Sequence, residues 1–150
     1  MNRIKVNHYT DLLMYKIEQI IRNLKYNLNQ YINNLNLGLT AEQLFVLDTI
    51  SSENNACQQD IAEKLSKDKS NIKRIVEILE NKGFITRKTG KKNNRLVNYL
   101  YITKSGKKII DDNIDKIKEY MEQLFSPIST EEEQILRDLV ERLKKDISSD

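Results

Sequence analysis

The 150 residues suffice for one domain with a sizeable core and are too few for two ordinary ones; at 39% hydrophobic and 31% charged the chain reads as soluble and globular rather than disordered. No apolar run reaches the roughly 18–20 residues that span a bilayer, no signal-peptide pattern opens the chain, and one cysteine (Cys57) and one histidine (His8) exclude a disulfide framework, the usual zinc sets and a Cys–His or Ser–His nucleophile pair in the core. The net charge of +3 is unevenly spread: 14 Lys and Arg between Lys64 and Lys108 face three acids, whereas the rest of the chain holds 11 basic and 19 acidic residues, so the central third suits a polyanion.

These bounds place the chain in the cytosol, off the membrane, without a cofactor or metal, and not as an enzyme. From about Val6 to Leu37, the residues Leu13, Ile17, Ile20, Leu24, Leu28, Tyr31 and Leu35 recur at steps of three and four, one stripe of a single long helix. About 30 residues at 1.5 Å each give roughly 45 Å. A domain this small cannot cover such a stripe alone, so part of it is expected to meet another chain. Gly38 is placed to end the helix in a left-handed conformation. Thr40 then caps a second helix, with Gln43 reaching back and Leu39 and Leu44 stapling the cap. Leu44, Leu47 and Ile50 point inward, the helix ends near Ser51–Ser52, and Glu53, Asn54 and Asn55 form a loop.

Two short helical segments follow. Gln58 to Leu65 carries Ile61, Ala62 and Leu65 on one face. Asp68 is a good N-cap for a helix from Lys69 to Lys82, with Ile72, Ile75, Val76 and Leu79 as its buried stripe and Gly83 beyond its end. Only Ser66, Lys67 and Asp68 separate the two, which is the helix-turn-helix unit. Phe84 to Thr89 reads as a strand, Gly90 to Asn94 as a polar hairpin tip, and Leu96 to Ile102 as the return strand. Thr103 caps a helix to about Phe125, Pro127 breaks it, and Ser129 or Thr130 opens a last helix carrying Ile135, Leu136, Leu139, Val140, Leu143 and Ile147.

In this order the elements resemble, over almost the whole chain, the MarR family of dimeric winged-helix transcriptional regulators. Ala56 to Leu65 is similar to the first helix of that family's motif, Asp68 to Val76 and on to Ile85 to its recognition helix and the start of its wing, and Ile102 to Gly106 to the stretch leading out of the wing. The resemblance implies a mainly α fold with a small β-hairpin: a winged helix-turn-helix lobe over 39–103, and long N- and C-terminal dimerisation arms over 1–37 and 104–150 of a single domain. Three positions depart from the family pattern. The wing lacks the usual Asp-x-Arg tip and reads Asn93-Asn94-Arg95-Leu96, Cys57 replaces a threonine-type cap, and Lys67 stands where the turn usually has an apolar residue.

With the apolar stripe inward at 100° per residue, Ser70, Lys73, Arg74 and Glu77 point outward and Asn71 lies on a flank. A recognition helix reads bases from its N-terminal half in the major groove. Arg74 suits guanine O6/N7 and Asn71 suits adenine, each bidentate pair giving about 1–3 kcal/mol of discrimination; Lys69 and Ser70 suit phosphate. Gln58 and Gln59 begin a helix whose free amides suit a phosphate. In the hairpin, Arg87, Lys88, Lys91, Lys92 and Arg95 gain from counterion release against a minor groove and its phosphates. On any one of these residues, plain solvation is the competing account. Cys57 at a helix N-terminus is a candidate redox residue, against an ordinary reduced side chain, which is the preferred reading. The expected partners are double-stranded DNA, a second copy of the chain and, through the resemblance, a small-molecule effector that relieves repression. The alternatives are a protein-interaction module built on the first helix and a redox-sensing regulator acting through Cys57.

Overall fold

The structure is a computed structural model that describes residues 4–53 and 55–147. Residues 1–3 and 148–150 of the two predicted arms, and Asn54 of the predicted loop, lie outside the described residues. The chain divides into two compact units, 1–115 and 116–150. No helix among the described residues is long and apolar enough to cross a membrane.

The first predicted helix is split. A 3-10 turn at Tyr9–Asp11 precedes α1 (Leu13–Asn34), and Leu12 between them takes extended backbone (φ −61°, ψ 137°). The Asp11 carboxylate accepts from the His8 amide at 3.3 Å and closes the upstream turn on itself. With 22 residues α1 spans about 33 Å, shorter than the roughly 45 Å expected. Its end also differs from expectation. Asn36 (φ +54°) takes the left-handed position two residues before Gly38 (φ +66°), and its short amide can bond locally there, donating to the Asn34 carbonyl at 3.4 Å.

The caps fall where the sequence places them. Thr40 Oγ1 accepts from the Gln43 amide at 3.2 Å and Gln43 Oε1 accepts from the Thr40 amide at 3.1 Å, opening α2 (Ala41–Ser52). Helix α3 (Gln58–Lys64) leads through a turn, with Ser66 at φ +50°, to α4 (Lys69–Asn81). Asp68 Oδ1 caps α4 by accepting from the Asn71 amide at 2.8 Å. Leu44, Val46 and Leu47 of α2, Ile61 of α3, and Ile72, Ile75, Val76 and Leu79 of α4 are fully enclosed. Burying each such side chain contributes about 1.5–3 kcal/mol. This core fixes which face of α4 remains outside.

The hairpin is tighter than predicted. Strands β1 (Ile85–Lys92) and β2 (Arg95–Ile102) pair antiparallel from Ile85↔Ile102 to Lys92↔Arg95. Gly90, Lys91 and Lys92 therefore continue the strand, and the tip is Asn93–Asn94 alone, both with left-handed φ (+50° and +61°). Two such residues make a turn whose twist matches that of the flanking strands, and asparagine reaches that region at low cost. The hairpin also leans on the segment before α3: Cys57 bridges Tyr99, and the Leu100 amide donates to the Ala56 carbonyl at 3.0 Å.

Helix α5 (Lys104–Gln123) opens on Thr103, whose hydroxyl accepts from the Gly106 amide at 3.2 Å and donates to the Gly83 carbonyl at 2.7 Å. Helix α6 (Thr130–Ile147) opens on a reciprocal cap between Ser129 and Glu132. Apolar side chains stay exposed in rows on α1 (Leu13, Ile17, Ile20 and Ile21) and α6 (Ile135, Leu136, Leu139, Val140, Leu143 and Ile147), and singly elsewhere, as at Leu96 of β2.

Candidate nucleic-acid interface

Because Ile72, Ile75, Val76 and Leu79 face the core, the opposite face of α4 presents Lys69, Ser70, Lys73 and Arg74 to solvent, with Asn71 half-buried on its edge. Ser70, Lys73 and Arg74 face outward as the helical period leads one to expect, whereas Glu77, expected with them, is half-buried. Asn71 is not free-standing. Its Nδ2 donates to Glu42 Oε1 at 2.9 Å, and its Oδ1 accepts from Arg74 Nη2 at 3.1 Å. The same Glu42 oxygen takes Lys67 Nζ at 2.7 Å. The Lys67 hydrogen bond holds the Glu42 carboxyl below its ordinary range against the opposing effect of burial, with Asn71 and Arg74 acting in the same direction as Lys67.

Gln58 and Gln59 do lie at the start of α3. Gln58 is half-buried and its Oε1 accepts from Asn98 Nδ2 of β2 at 3.3 Å, while Gln59 is exposed and donates to Glu63 at 2.9 Å. A groove of about 280 Å³ brings Gln58, Gln59, Lys69 and Lys73 together with Leu96 and Asn98. A second, of about 450 Å³, joins Gln59, Asp60, Lys92 and Arg95. Gln59 of α3 thus adjoins candidate cations of both α4 and the hairpin tip.

The five hairpin cations have unequal surroundings. Arg87 pairs with Glu80 of α4, and Lys92 pairs with Asp60 of α3. Lys88 sits over the Tyr101 ring at 5.3 Å from its centre. Lys91 and Arg95 are exposed and form no ion pair among the described residues. Lys92 is the main reason the Asp60 carboxyl is pulled down to about 2; the Cys57 amide, donating to Asp60 at 2.9 Å, adds to it. Asp60 therefore serves both the α3 cap and the hairpin. Cys57 itself is 1% exposed.

Three acids of this face, Glu42, Asp60 and Glu80, were not among the residues singled out from the sequence. Asp60 carries a local signal, since it stands three residues after the cap position Cys57 as a capping-box partner would. Glu42 and Asn71 are 29 residues apart, and no periodicity links them.

The MarR family pattern matches residues 39–97. A relative, the uncharacterized HTH-type transcriptional regulator YdgJ of Bacillus subtilis (strain 168), is 23% identical over 112 residues, which is 75% of this chain and 68% of the relative. Among solved structures, the MepR–DNA complex of S. aureus aligns with a TM-score of 0.75 at 23% identity, covering 92% of this chain and 99% of that one. The transcriptional regulator SlyA aligns with a TM-score of 0.76 at 26% identity, covering 91% and 94%. Order of elements, capped helix-turn-helix, hairpin wing and the match over residues 39–97 agree: the lobe carries the MarR family pattern, and the chain has the fold of the winged helix-turn-helix transcriptional regulators it aligns with.

Proposed function

We propose that two copies of this chain bind a pseudo-palindromic duplex and repress transcription by occupying it. In this reading the exposed face of α4 enters the major groove, and the β1–β2 wing lies over the minor groove. The observation that carries it is the outward set Lys69, Ser70, Lys73 and Arg74 standing on a helix whose other face is fully enclosed, together with a wing on which Lys91 and Arg95 are exposed. Basic side chains fixed on rigid elements meet phosphates and base edges without first having to be ordered. The two exposed apolar stripes of α1 and α6 would supply the dimer arms. The test is electrophoretic mobility of DNA from beside the protein's own gene, with and without excess random competitor. A shifted band that survives competitor is expected; a band lost to competitor in proportion to its mass would refute sequence-specific binding.

Relief by a small molecule belongs to the same proposal. An open groove of about 580 Å³ where the end of α1 meets the start of α2 is lined by Ile32, Asn33, Asn36, Leu39, Gln43 and Lys82, a mixture of apolar, amide and cationic side chains. It suits a small organic anion. The redox alternative is disfavoured by the burial of Cys57, which denies an oxidant direct approach to the sulfur.

A further inference from the structure

Arg74 is an exposed side chain of many rotamers, and holding a long cation in one geometry costs conformational entropy. In this structure its guanidinium is tethered, through one of its five N–H groups, to Asn71 Oδ1. An asparagine amide has a donor end and an acceptor end, and either can face outward. Here the Glu42 carboxylate, which only accepts, turns the donor end toward itself at 2.9 Å and so leaves the acceptor end for Arg74. Both ends of Asn71 are thereby engaged by protein groups, which ill suits the adenine contact expected of it and well suits a relay.

We propose that Glu42 is a specificity-determining positioning residue: acting through Asn71, it presents the Arg74 guanidinium to a base edge. The inference rests on the reading that α4 contacts bases. Four N–H groups of Arg74 remain, enough for a bidentate contact with guanine. Lys67 completes the device. An unpaired carboxylate this close to DNA would repel phosphate, and the ammonium at 2.7 Å offsets that charge. This gives a role to the lysine that stands in the turn where an apolar residue is usual. Glu42 stays ionised throughout the neutral range, because Lys67, Asn71 and Arg74 all favour its charged form.

The experiment compares wild type, Glu42→Gln, Arg74→Ala and the double variant. Each is titrated with a duplex enriched by the wild-type protein from a random-sequence pool and with an unselected duplex, at one salt concentration. Glutamine offers both a donor and an acceptor, so Asn71 can turn either way. Glu42→Gln is expected to lower the ratio of selected to unselected affinity about tenfold, the scale of coupling within one hydrogen-bond network. Its affinity for the unselected duplex should hold or rise, because a negative charge is removed. In the Arg74→Ala background the same change should leave the ratio where Arg74→Ala put it. Asn71→Ala, which suits a helix, provides a second route: it should reproduce the loss, and adding Glu42→Gln to it should cost nothing more. An unchanged ratio in Glu42→Gln beside a reduced one in Arg74→Ala overturns the relay alone. Additive losses overturn it too, and so does an equal gain on both duplexes, which would make Glu42 a mere source of repulsion. An unchanged ratio in Arg74→Ala overturns the base-reading assignment of α4 and the relay with it.

Discussion

Lys91 and Lys92 are neighbours on β1 with the same charge and unequal surroundings. Lys92 is paired with Asp60, and Lys91 has no such partner among the described residues. Removing Lys91 should therefore subtract one phosphate contact per wing and lower the salt slope of binding by about 0.9 for each. Lys92→Ala should do more harm to random DNA than Lys91→Ala, because it also leaves the Asp60 carboxylate uncompensated beside the duplex. Adding Asp60→Asn should recover that excess. Binding across a salt series measures these three variants against wild type, and equal losses from the two lysines would contradict the pairing. Asp60 also predicts an acid limb. Its carboxyl is depressed from 3.8 to about 2, so its stabilising effect is present above 3.8 and is lost as pH falls toward 2. The melting-temperature gap between wild type and Asp60→Asn should narrow across that window and stay level above it; asparagine keeps an acceptor for the cap, so the change isolates the charge. At this scale the outward set of α4 was legible from 100° per residue alone. The acids that restrain it were not, since Glu42–Asn71 and Asp60–Lys92 are contacts across 29 and 32 residues that only folding creates.

Two glycines flank the ends of the wing and constrain it by different means. At Gly83 (φ +76°) an added Cβ would meet nothing within 4 Å, so alanine there is penalised by backbone conformation, about 1 kcal/mol. At Gly106 the Cβ would lie 2.2 Å from the Phe84 carbonyl oxygen, a backbone atom that cannot swing aside. Gly106→Ala should therefore cost more, at the upper end of the roughly 1–3 kcal/mol of overpacking, as α5 is pushed from the base of the wing. Denaturant unfolding of both variants decides the order, and a smaller loss for Gly106→Ala would refute it. Elements with chemical punctuation were readable in advance: Thr40, Asp68, Thr103 and Ser129 all cap the helices the sequence assigns to them. The break at Leu12 was not, because the apolar stripe runs on past it and the extended backbone leaves no mark in residue type. The wing tip was read as five residues because Gly90 and two lysines look like loop. Pairing of Gly90 with Val97 and Lys91 with Leu96 draws them into the strand.

On the scale of the whole molecule, apolar side chains left in water are the strongest unmet demand. Leu139, Val140 and Leu143 on α6 are each nearly half exposed or more, as are Ile20 and Ile21 on α1. Sedimentation at micromolar concentration should give a species of twice the 17.7 kDa chain. Leu139→Glu with Leu143→Glu should shift it to the monomer and weaken binding to every duplex. A monomeric wild type would refute the dimer. A different consequence follows from the two fastenings of the wing, Arg87 to Glu80 and Lys92 to Asp60. A loose hairpin must be ordered when it meets DNA, and coupled ordering shows as a large negative heat-capacity change together with an entropic loss. This hairpin is ordered before the encounter. Calorimetry over a range of temperatures should accordingly return the small heat-capacity change of two preformed surfaces meeting. Asp60→Asn combined with Glu80→Gln should make that change more negative, as the freed wing comes to be ordered by the duplex itself.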